Sequence, residues 1–192
     1  MNYSRRDEAP PREVSWYASL RMQWKPDHVR LLLIGESAPD DGGDPTNRRF
    51  FYADHLTGKD NLFRAVVHAL YDEPSLDSRT TDKRAWLTRL QRDGVFLIDL
   101  VPYPINGSDM ATSRSRARHD HADECADRAA ALSPDGIIVC HGPSFKVLRG
   151  PLVERGLPLL HEEPIPFPLG NWRAQFFEKV RGAIGNDFAT GL

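Results

Sequence analysis

Glu36, Asp99 and His141 each stand at the end of a short run of apolar residues. A carboxylate can activate a water molecule or face a developing positive charge, and an imidazole gains and loses a proton near neutral pH. Ionisable groups that recur at corresponding positions of a fold often mark a functional site. The sequence therefore predicts that these three side chains meet, with Glu36 and His141 as the candidate catalytic groups.

The apolar runs are typical of strands in a parallel sheet. Residues 29–34, 95–101 and 136–140 are rich in aliphatic side chains and too short for ordinary helices, as expected of strands buried on both faces. Gly35 ends the first run, and residues 157–160 form a candidate fourth strand that leads to a histidine. Because ligands of open α/β sheets bind beyond the carboxyl ends of the strands, we expect the site there.

Helical periodicity separates the predicted strands. Apolar residues recur at intervals of three and four along the segments that we predict to be helices, which are residues 14–24, 61–71, 81–92, 120–132 and 172–184. A shorter helix is predicted at residues 145–148 and is ended by Gly150 and Pro151. The alternation of strands and helices predicts an α/β fold.

Length and composition fit one globular domain. The chain has 192 residues and a net charge of −2, so it carries no overall basic field. No run of roughly 20 apolar residues could span a bilayer, and the polar start lacks the apolar segment of a signal peptide. We therefore expect a cytoplasmic protein with one domain at residues 29–184, an arm and helix at residues 1–28 packed on it, and a frayed tail at residues 185–192.

The cysteines and a histidine-rich segment do not favour a metal site. Cys125 and Cys140 are too few for a disulfide framework, so free thiols are expected. His119 with Asp123, or His121 with Cys125, would share a helical face, but acids in a first turn are also what the helix dipole favours. We expect no metal, no cofactor and a monomeric chain.

Two cationic stretches could contact an anionic ligand. Arg48 and Arg49 precede three aromatic residues at 50–52, which could hold a flat anion by stacking and ion pairing, and a short half-buried strand is the alternative. Residues 113–118 alternate small residues with arginines and are predicted to form an exposed loop. Such a loop either contacts phosphates or is simply a solvated surface.

The order of these features resembles the uracil-DNA glycosylase superfamily over residues 29–184. Residues 35–39 (GESAP) are similar to the first motif of that family, and Phe50 or Phe51 matches the aromatic residue that stacks on the flipped base. Residues 165–169 (IPFPL) fall on its second motif, which enters the minor groove of DNA. The basic and aromatic start of the last predicted helix also matches.

The resemblance implies a three-layer α/β/α fold with a central, mainly parallel four-stranded sheet in the order 2-1-3-4. It implies a DNA glycosylase that flips a base and hydrolyses its N-glycosidic bond, so DNA, or a nucleotide or nucleobase, is the expected partner. Glu36 would activate the attacking water. The base-binding residues would be Gly35, Ser37, Phe50, Phe51, Asp99 and Asn106, and the residues that grip the DNA backbone would be Pro166, Pro168, Leu169 and Arg173.

The sequence departs from the family pattern at three positions. Ala38 stands where a proline is usual, and Asp99 stands where an asparagine reads the base edge, although an ionised carboxylate cannot donate a hydrogen bond. Ile165 replaces the histidine that stabilises charge on the leaving base, and His141 or His161 could substitute for it. A non-catalytic module that binds a nucleotide or a single strand in the same cleft is therefore the alternative function, and a plain flavodoxin-like domain is the alternative fold.

Overall fold

The computed structural model of the chain describes residues 15–42, 44, 49–105 and 111–189, with side chains from residue 16 to residue 185. Three parallel strands form one sheet in the order β2-β1-β3, and they are β1 (Leu31–Gly35), β2 (Val95–Asp99) and β3 (Gly136–Val139). Helices flank this sheet. The predicted α/β class with a parallel sheet is thus confirmed.

Strand β1 is the centre of both the sheet and the core. It pairs in register with β2 on one side and with β3 on the other. Its first four side chains are at most 1% exposed, because helices that cover a parallel sheet leave its strands no polar side. Pairing continues beyond the strand, since the Val101 amide donates to the Glu36 carbonyl at 2.9 Å. The carboxyl ends of the strands are therefore held together at one edge of the sheet.

Side chains close both lateral edges of the sheet. On the β2 side, the Tyr52 hydroxyl donates to the Leu97 carbonyl at 3.2 Å and accepts from the Leu97 amide at 2.6 Å. On the β3 side, His161 Nε2 accepts from the Val139 amide at 3.0 Å. Unpaired edge groups are a template for pairing with other chains. The two rings therefore bond backbone groups that a further strand would otherwise pair with at Leu97 and Val139.

The predicted fourth strand is reduced to a single bridge. Residues 157–160 pair with β3 only around Ile137, whose amide donates to the Pro158 carbonyl at 2.8 Å and whose carbonyl accepts from the Leu160 amide at 3.0 Å. Pro158 has no amide hydrogen with which to extend the ladder, and the His161 ring occupies the next position along β3. The described residues therefore form three strands rather than four.

The described helices fall into packed pairs around the sheet. Helix α2 packs on α7, and α5 packs on α6. None of the described helices combines the length and the apolar character needed to cross a bilayer. The helices are α1 (Ser15–Gln23), α2 (Asn61–Tyr71), α3 (Lys83–Arg92), α4 (Ala111–Asp120), α5 (Ala122–Leu132), α6 (Gly142–Glu154) and α7 (Arg173–Ala189), with a 3₁₀ turn at Gly170–Trp172 before the last.

Three segments depart from the predicted helix pattern. The loop predicted at residues 113–118 is wrong, because α4 forms there without any buried side chain, as the helix propensities of alanine and arginine allow. Helix α6 runs through Gly150 and Pro151, which were predicted as its end. Buried leucines on both sides of that pair hold it on the core. The backbone of Gly185 is not helical (φ 60°, ψ 177°), so the predicted tail starts at a break within α7.

Candidate functional site

Glu36 follows β1 and enters a cluster of polar side chains. Its Oε1 atom lies 2.5 Å from Nη1 of Arg118, on α4, and 3.7 Å from Nδ1 of His141. Its other oxygen, Oε2, has no hydrogen-bond partner in the described part of the chain, and the side chain is 24% exposed. Glu36 is therefore an oriented carboxylate with one oxygen held by Arg118 and the other open to a water or ligand.

Glu36 and His141, the two predicted catalytic residues, meet without forming a nucleophilic triad. Nδ1 of His141 lies 2.8 Å from Ser144 Oγ, so the same ring nitrogen faces both the hydroxyl and the carboxylate. A triad needs the serine and the acid on opposite nitrogens, and Ser144 is fully buried. The other nitrogen of His141, Nε2, has no partner among the residues that the structure describes and is available for proton transfer.

The environment of His141 favours its neutral form. Burial lowers the pKa of His141, Glu36 opposes this effect, and Arg118 and Arg114 reinforce it. A neutral imidazole has a free lone pair on one nitrogen. At neutral pH His141 is therefore suited to accept a proton.

Asp99 is a buried carboxylate that pairs with Arg21 on one side and lies against the backbone of Gly35 on the other. Its Oδ2 atom lies 2.7 Å from Nη2 of Arg21, on α1, and both side chains are 7% exposed. Its Oδ1 atom faces β1, where a Cβ atom added to Gly35 would lie only 2.7 Å away. Burial raises the pKa of Asp99, and the Arg21 guanidinium opposes that rise. Gly35 therefore makes room for the Asp99 carboxylate, whose position is set by the fold.

A small cavity, here called the sheet-end cavity, lies beside Asp99. Its volume is about 120 Å³, well below the roughly 300–1,000 Å³ of pockets for drug-sized ligands. Aromatic rings and polar groups both line it, so its size and lining suit one flat polar ring. The aromatic lining residues are Phe50, Phe51, Phe63 and Phe167, and the polar ones are Ser37, Arg49, Lys59, Asp60, Asn61 and Asp99.

A buried lysine fixes the segment that carries Phe50 and Phe51. Lys83 Nζ donates to the Phe50 carbonyl at 3.0 Å and lies 3.3 Å from Asp60 Oδ1. Phe51 packs edge-to-face on Phe63. Burial lowers the pKa of Lys83, and the Asp60 carboxylate opposes this. The segment is a turn rather than the half-buried strand of the alternative interpretation, and both rings line the cavity.

An open groove, here called the proline-loop groove, adjoins the sheet-end cavity. Its volume is about 580 Å³, and Phe167 borders both spaces. Phe167, Leu169 and Trp172 are 38%, 58% and 57% exposed, and exposed apolar side chains that cluster mark interaction surfaces. The other lining residues are His141, Gly142, Pro143, Lys146, Pro164, Pro166 and Gln175.

The residues predicted to grip a DNA backbone occupy different places. Pro166 and Leu169 line the proline-loop groove, whereas Pro168 is buried and supports that segment from inside. Arg173 does not line the groove, and its Nη2 atom donates to Asn61 Oδ1 at 2.8 Å. The groove and Arg173 are thus separate surfaces.

Another predicted position, His161, contributes no free group to the site. Asn106 lies outside the described residues. Both ring nitrogens of His161 form hydrogen bonds within the fold. Nδ1 donates to the Glu163 carbonyl at 2.7 Å, and Nε2 accepts from the Val139 amide at the edge of β3. Ile165 is fully buried and carries no charge. Of the two histidines considered as replacements for the family's motif histidine, only His141 lines the groove.

Arg21 and Arg118 were not assigned as site residues from the sequence. Arg21 shares a helical stripe with Tyr17 and Trp24, and a charge on an otherwise apolar stripe is the signal that a buried partner exists. Arg118 belongs to the basic segment, but its contact with Glu36 follows from α4 being a helix. No pattern of neighbouring residues predicts that contact.

The thiols offer no reactive or metal-binding group. Cys125 and Cys140 are buried and free, and burial raises the pKa of each to about 12. Both are therefore protonated and inert at neutral pH. Within the described ranges, no group of three or more His, Cys, Asp or Glu side chains could hold a metal ion.

The arrangement brings Glu36, a carboxylate with one open oxygen, to His141, an imidazole that lines the proline-loop groove. Asp99 lies apart from this pair in the sheet-end cavity, which neither Glu36 nor His141 lines. A carboxylate and a neutral imidazole placed together can orient a water molecule and accept its proton. Comparison of the chain with protein-family models, with curated proteins and with solved structures found no match.

Proposed function

We propose that this chain is a uracil-DNA glycosylase-like hydrolase that cleaves the N-glycosidic bond of a flipped or altered base in DNA. The observation that carries the proposal is the aromatic-lined sheet-end cavity, which shares Phe167 with the proline-loop groove. His141 lines that groove and lies 3.7 Å from Glu36. An enzyme that acts on a base in DNA needs a pocket for the extruded base and a surface for the strand it leaves.

The sheet-end cavity would hold the extruded base. Phe50 or Phe51 would stack on its face, while Ser37 and Asp99 would contact its edge. The Arg21 guanidinium, 2.7 Å from Asp99 Oδ2, would keep Asp99 ionised against the effect of burial, and an ionised carboxylate only accepts hydrogen bonds. The cavity therefore favours a base that presents an N–H donor at this point, in contrast to the uracil carbonyl that the family's asparagine reads.

In the proposed reaction, the bond between C1′ of the sugar and the base nitrogen breaks, and its electron pair leaves with the base. A water held at Glu36 Oε2 forms the new bond to C1′, and its proton passes to Glu36 or to His141 Nε2. That proton ends on the departed base, which balances the hydrolysis. The negative charge of Glu36 also stabilises the oxocarbenium character of the sugar.

The proline-loop groove would contact the nucleic acid strand. Leu169 and Trp172 present exposed apolar surface that can wedge between bases or stack on them. Lys146, at the start of α6, adds a positive charge to the same groove. Local positive charge of this kind allows a chain of net charge −2 to bind DNA.

The proposed similarity to uracil-DNA glycosylases also predicts the sheet order, the cellular location and the oligomeric state. We expect a three-layer arrangement with the sheet order 2-1-3-4, in which residues 157–160 act as a minimal fourth strand, and the bridge at Ile137 supports this assignment. We also propose that the protein acts as a cytoplasmic monomer.

The proposal is tested with oligonucleotides. Duplex and single-stranded substrates that carry uracil, hypoxanthine, xanthine or a mismatch are incubated with the wild type and with Glu36→Gln, and strand breaks are measured after alkali treatment. Cleavage by the wild type should fall about 10²–10⁴-fold in Glu36→Gln. The exposed Glu154→Gln change, at the end of α6, serves as a matched control that keeps full activity. Absence of cleavage of every substrate at high protein concentration would refute the hydrolase.

A non-catalytic module that binds a nucleotide or a single strand is the second candidate. Two observations favour it: Arg118 contacts the carboxylate that a hydrolase would use, and the buried Ile165 supplies no charge for a leaving base. This candidate predicts that wild type and Glu36→Gln bind a labelled single strand equally well and that neither releases a base. Loss of turnover with retained binding in Glu36→Gln would exclude it.

A further inference from the structure

A second cavity, here called the arginine cavity, lies where α2 packs against α7. Its volume is about 270 Å³, and its basic lining residues are Arg64 and His68 of α2 and Arg173 of α7. No carboxylate lines it among the residues that the structure describes. The cavity is therefore positively charged, in a chain whose net charge is −2.

Neither guanidinium of the arginine cavity is neutralised by an acid in the described part of the chain. Arg173 donates to the neutral amide oxygen of Asn61 at 2.8 Å. Arg64 donates through Nη1 to the Leu76 carbonyl and through Nη2 to the Thr57 carbonyl at 3.0 Å, and its Nε is buried without a partner. Arg64 is partly buried, whereas Arg173 is exposed. A partly buried cation that is paired only with neutral dipoles, such as Arg64, gains free energy when an anion binds beside it.

The shape of the lining indicates which anion fits. Guanidinium groups present planar forks of donors that match the oxygens of phosphate. The His68 ring stacks on Phe177 at 4.2 Å between centroids and gives the cavity a flat wall. Asn61 lines both the arginine cavity and the sheet-end cavity, so the two cavities are neighbours. A nucleotide carries both a flat ring and an oxyanion, and neighbouring sites of these two kinds fit its two parts.

We infer that the arginine cavity binds a phosphate group, supplied either by the backbone of a nucleic acid or by the terminal phosphate of a free nucleotide. Arg173 and Arg64 donate to its oxygens, and Asn61 orients Arg173. Placing the attached base in the sheet-end cavity rests on the proposed function, whereas phosphate binding itself does not.

Calorimetric titration with inorganic phosphate and pyrophosphate tests the inference. The wild type should bind, and Arg173→Gln should bind at least about tenfold more weakly, because it loses a charged hydrogen bond. Arg181→Gln is the matched control and should bind like the wild type. Arg181 is on the same helix and lies 5.7 Å from the Phe177 ring, yet it does not line the cavity. Unfolding temperatures without phosphate verify that the variants are folded.

Two further titrations distinguish the sources of the phosphate. A labelled single-stranded oligonucleotide is titrated at several salt concentrations, and 2′-deoxyuridine 5′-monophosphate is compared with 2′-deoxyuridine. If the phosphate is part of a backbone, Arg173→Gln weakens oligonucleotide binding and reduces its salt slope by about one. If it is a terminal phosphate, Arg173→Gln weakens binding of the monophosphate and pyrophosphate alone. Either result supports the site.

Equal affinities of the three proteins for every phosphate probe would overturn the inference. A second variant, Arg64→Lys, keeps the charge but loses the planar fork, and it should also weaken pyrophosphate binding. None of these titrations involves turnover. Failure of the oligonucleotide cleavage assay would therefore leave the phosphate site standing, and failure of phosphate binding would leave the cleavage result standing.

Discussion

At the residue scale, each of the two carboxylates at the carboxyl end of the sheet forms an ion pair with an arginine. Arg118 holds Glu36 in a partly exposed pair, with side-chain exposures of 14% and 24%, whereas Arg21 holds Asp99 in a buried one. Breaking a buried pair leaves an uncompensated charge, and this cost falls as exposure to water rises. Loss of Arg118 should therefore cost less stability than loss of Arg21.

The protonation of His141 should respond to both of its charged neighbours. Arg118→Gln should raise the pKa of His141, because a nearby cation disfavours the imidazolium, and Glu36→Gln should lower it, because a nearby anion favours it. Proton NMR titration of the imidazole Cε1–H signals measures both shifts, with His141→Asn to assign the resonance. Shifts of the same sign in the two variants would contradict the geometry of the cluster.

Gly35 should tolerate no side chain. A Cβ atom at this position would lie 2.7 Å from Asp99 Oδ1, and Arg21 prevents the carboxylate from moving away. We expect Gly35→Ala to lower the free energy of unfolding by about 1–3 kcal/mol in urea titrations. Gly182→Ala, at an exposed position of α7 with open space around it, should be neutral or stabilising by about 0.5–1 kcal/mol. Equal stability of the two variants would refute the close approach.

At the element scale, side chains replace strands at the margins of the sheet. Tyr52 satisfies the outer edge of β2 at Leu97, and His161 satisfies the outer edge of β3 at Val139. Each ring comes from an irregular segment rather than from a strand. At Leu97 and Val139 the outer backbone groups of the three-stranded sheet are therefore bonded and do not offer a template for pairing with another chain.

The His161 contact should make stability depend on pH. Burial lowers the pKa of His161, so the unfolded chain binds more protons in the range between the ordinary histidine pKa of about 6.5 and the lowered native value. Stability should therefore rise with pH through this range and be lost as the pH falls. A protonated Nε2 could no longer accept the Val139 amide.

Urea unfolding at about pH 7.5 and about pH 5 measures this dependence. His161→Gln should reduce the difference in free energy between the two pH values. His28→Gln, at a 61% exposed position, retains both His161 and His141 and should retain the full difference. A pH dependence that is unchanged in His161→Gln would show that this ring is not responsible.

At the scale of the whole molecule, α1 is part of the site although it precedes the sheet in the chain. The Tyr17 hydroxyl donates to the Pro39 carbonyl in the segment after β1, and Arg21 reaches Asp99 at the end of β2. Helix α1 thus holds the ends of two strands in place. Both contacts cross the boundary that was predicted between residues 1–28 and residues 29–184.

Removing Arg21 should destabilise the entire fold. Arg21→Met leaves Asp99 as a buried carboxylate without its closest cation, and we expect a loss of about 3–5 kcal/mol in the free energy of unfolding. Asp99→Asn in the Arg21→Met background removes that charge and should recover part of the loss. Urea unfolding of the two single variants and the double variant forms a complete cycle. Simple additivity of the two changes would show that the residues are not coupled.

Much of the fold could be predicted because local pattern and final structure agree there. The runs predicted as strands at residues 29–34, 95–101 and 136–140 agree with the observed strands to within two residues at each end, and the helix predicted at residues 61–71 matches α2 in both bounds. The proximity of Glu36 and His141 followed from parallel strands ending at one edge. In contrast, α4 has no apolar stripe to reveal it, so periodicity could not find it.

The sequence by itself determined the strand segments and the placement of Glu36, Asp99 and His141 at their carboxyl ends, because aliphatic runs and chain direction can be read from local sequence. Only the tertiary structure decided the partners: Arg118 on Glu36, Arg21 on Asp99, and His161 on the edge of β3 rather than in the cleft. These contacts join residues from 22 to 82 positions apart. Their formation depends on how helices and irregular segments pack on the sheet, which no short stretch of sequence encodes.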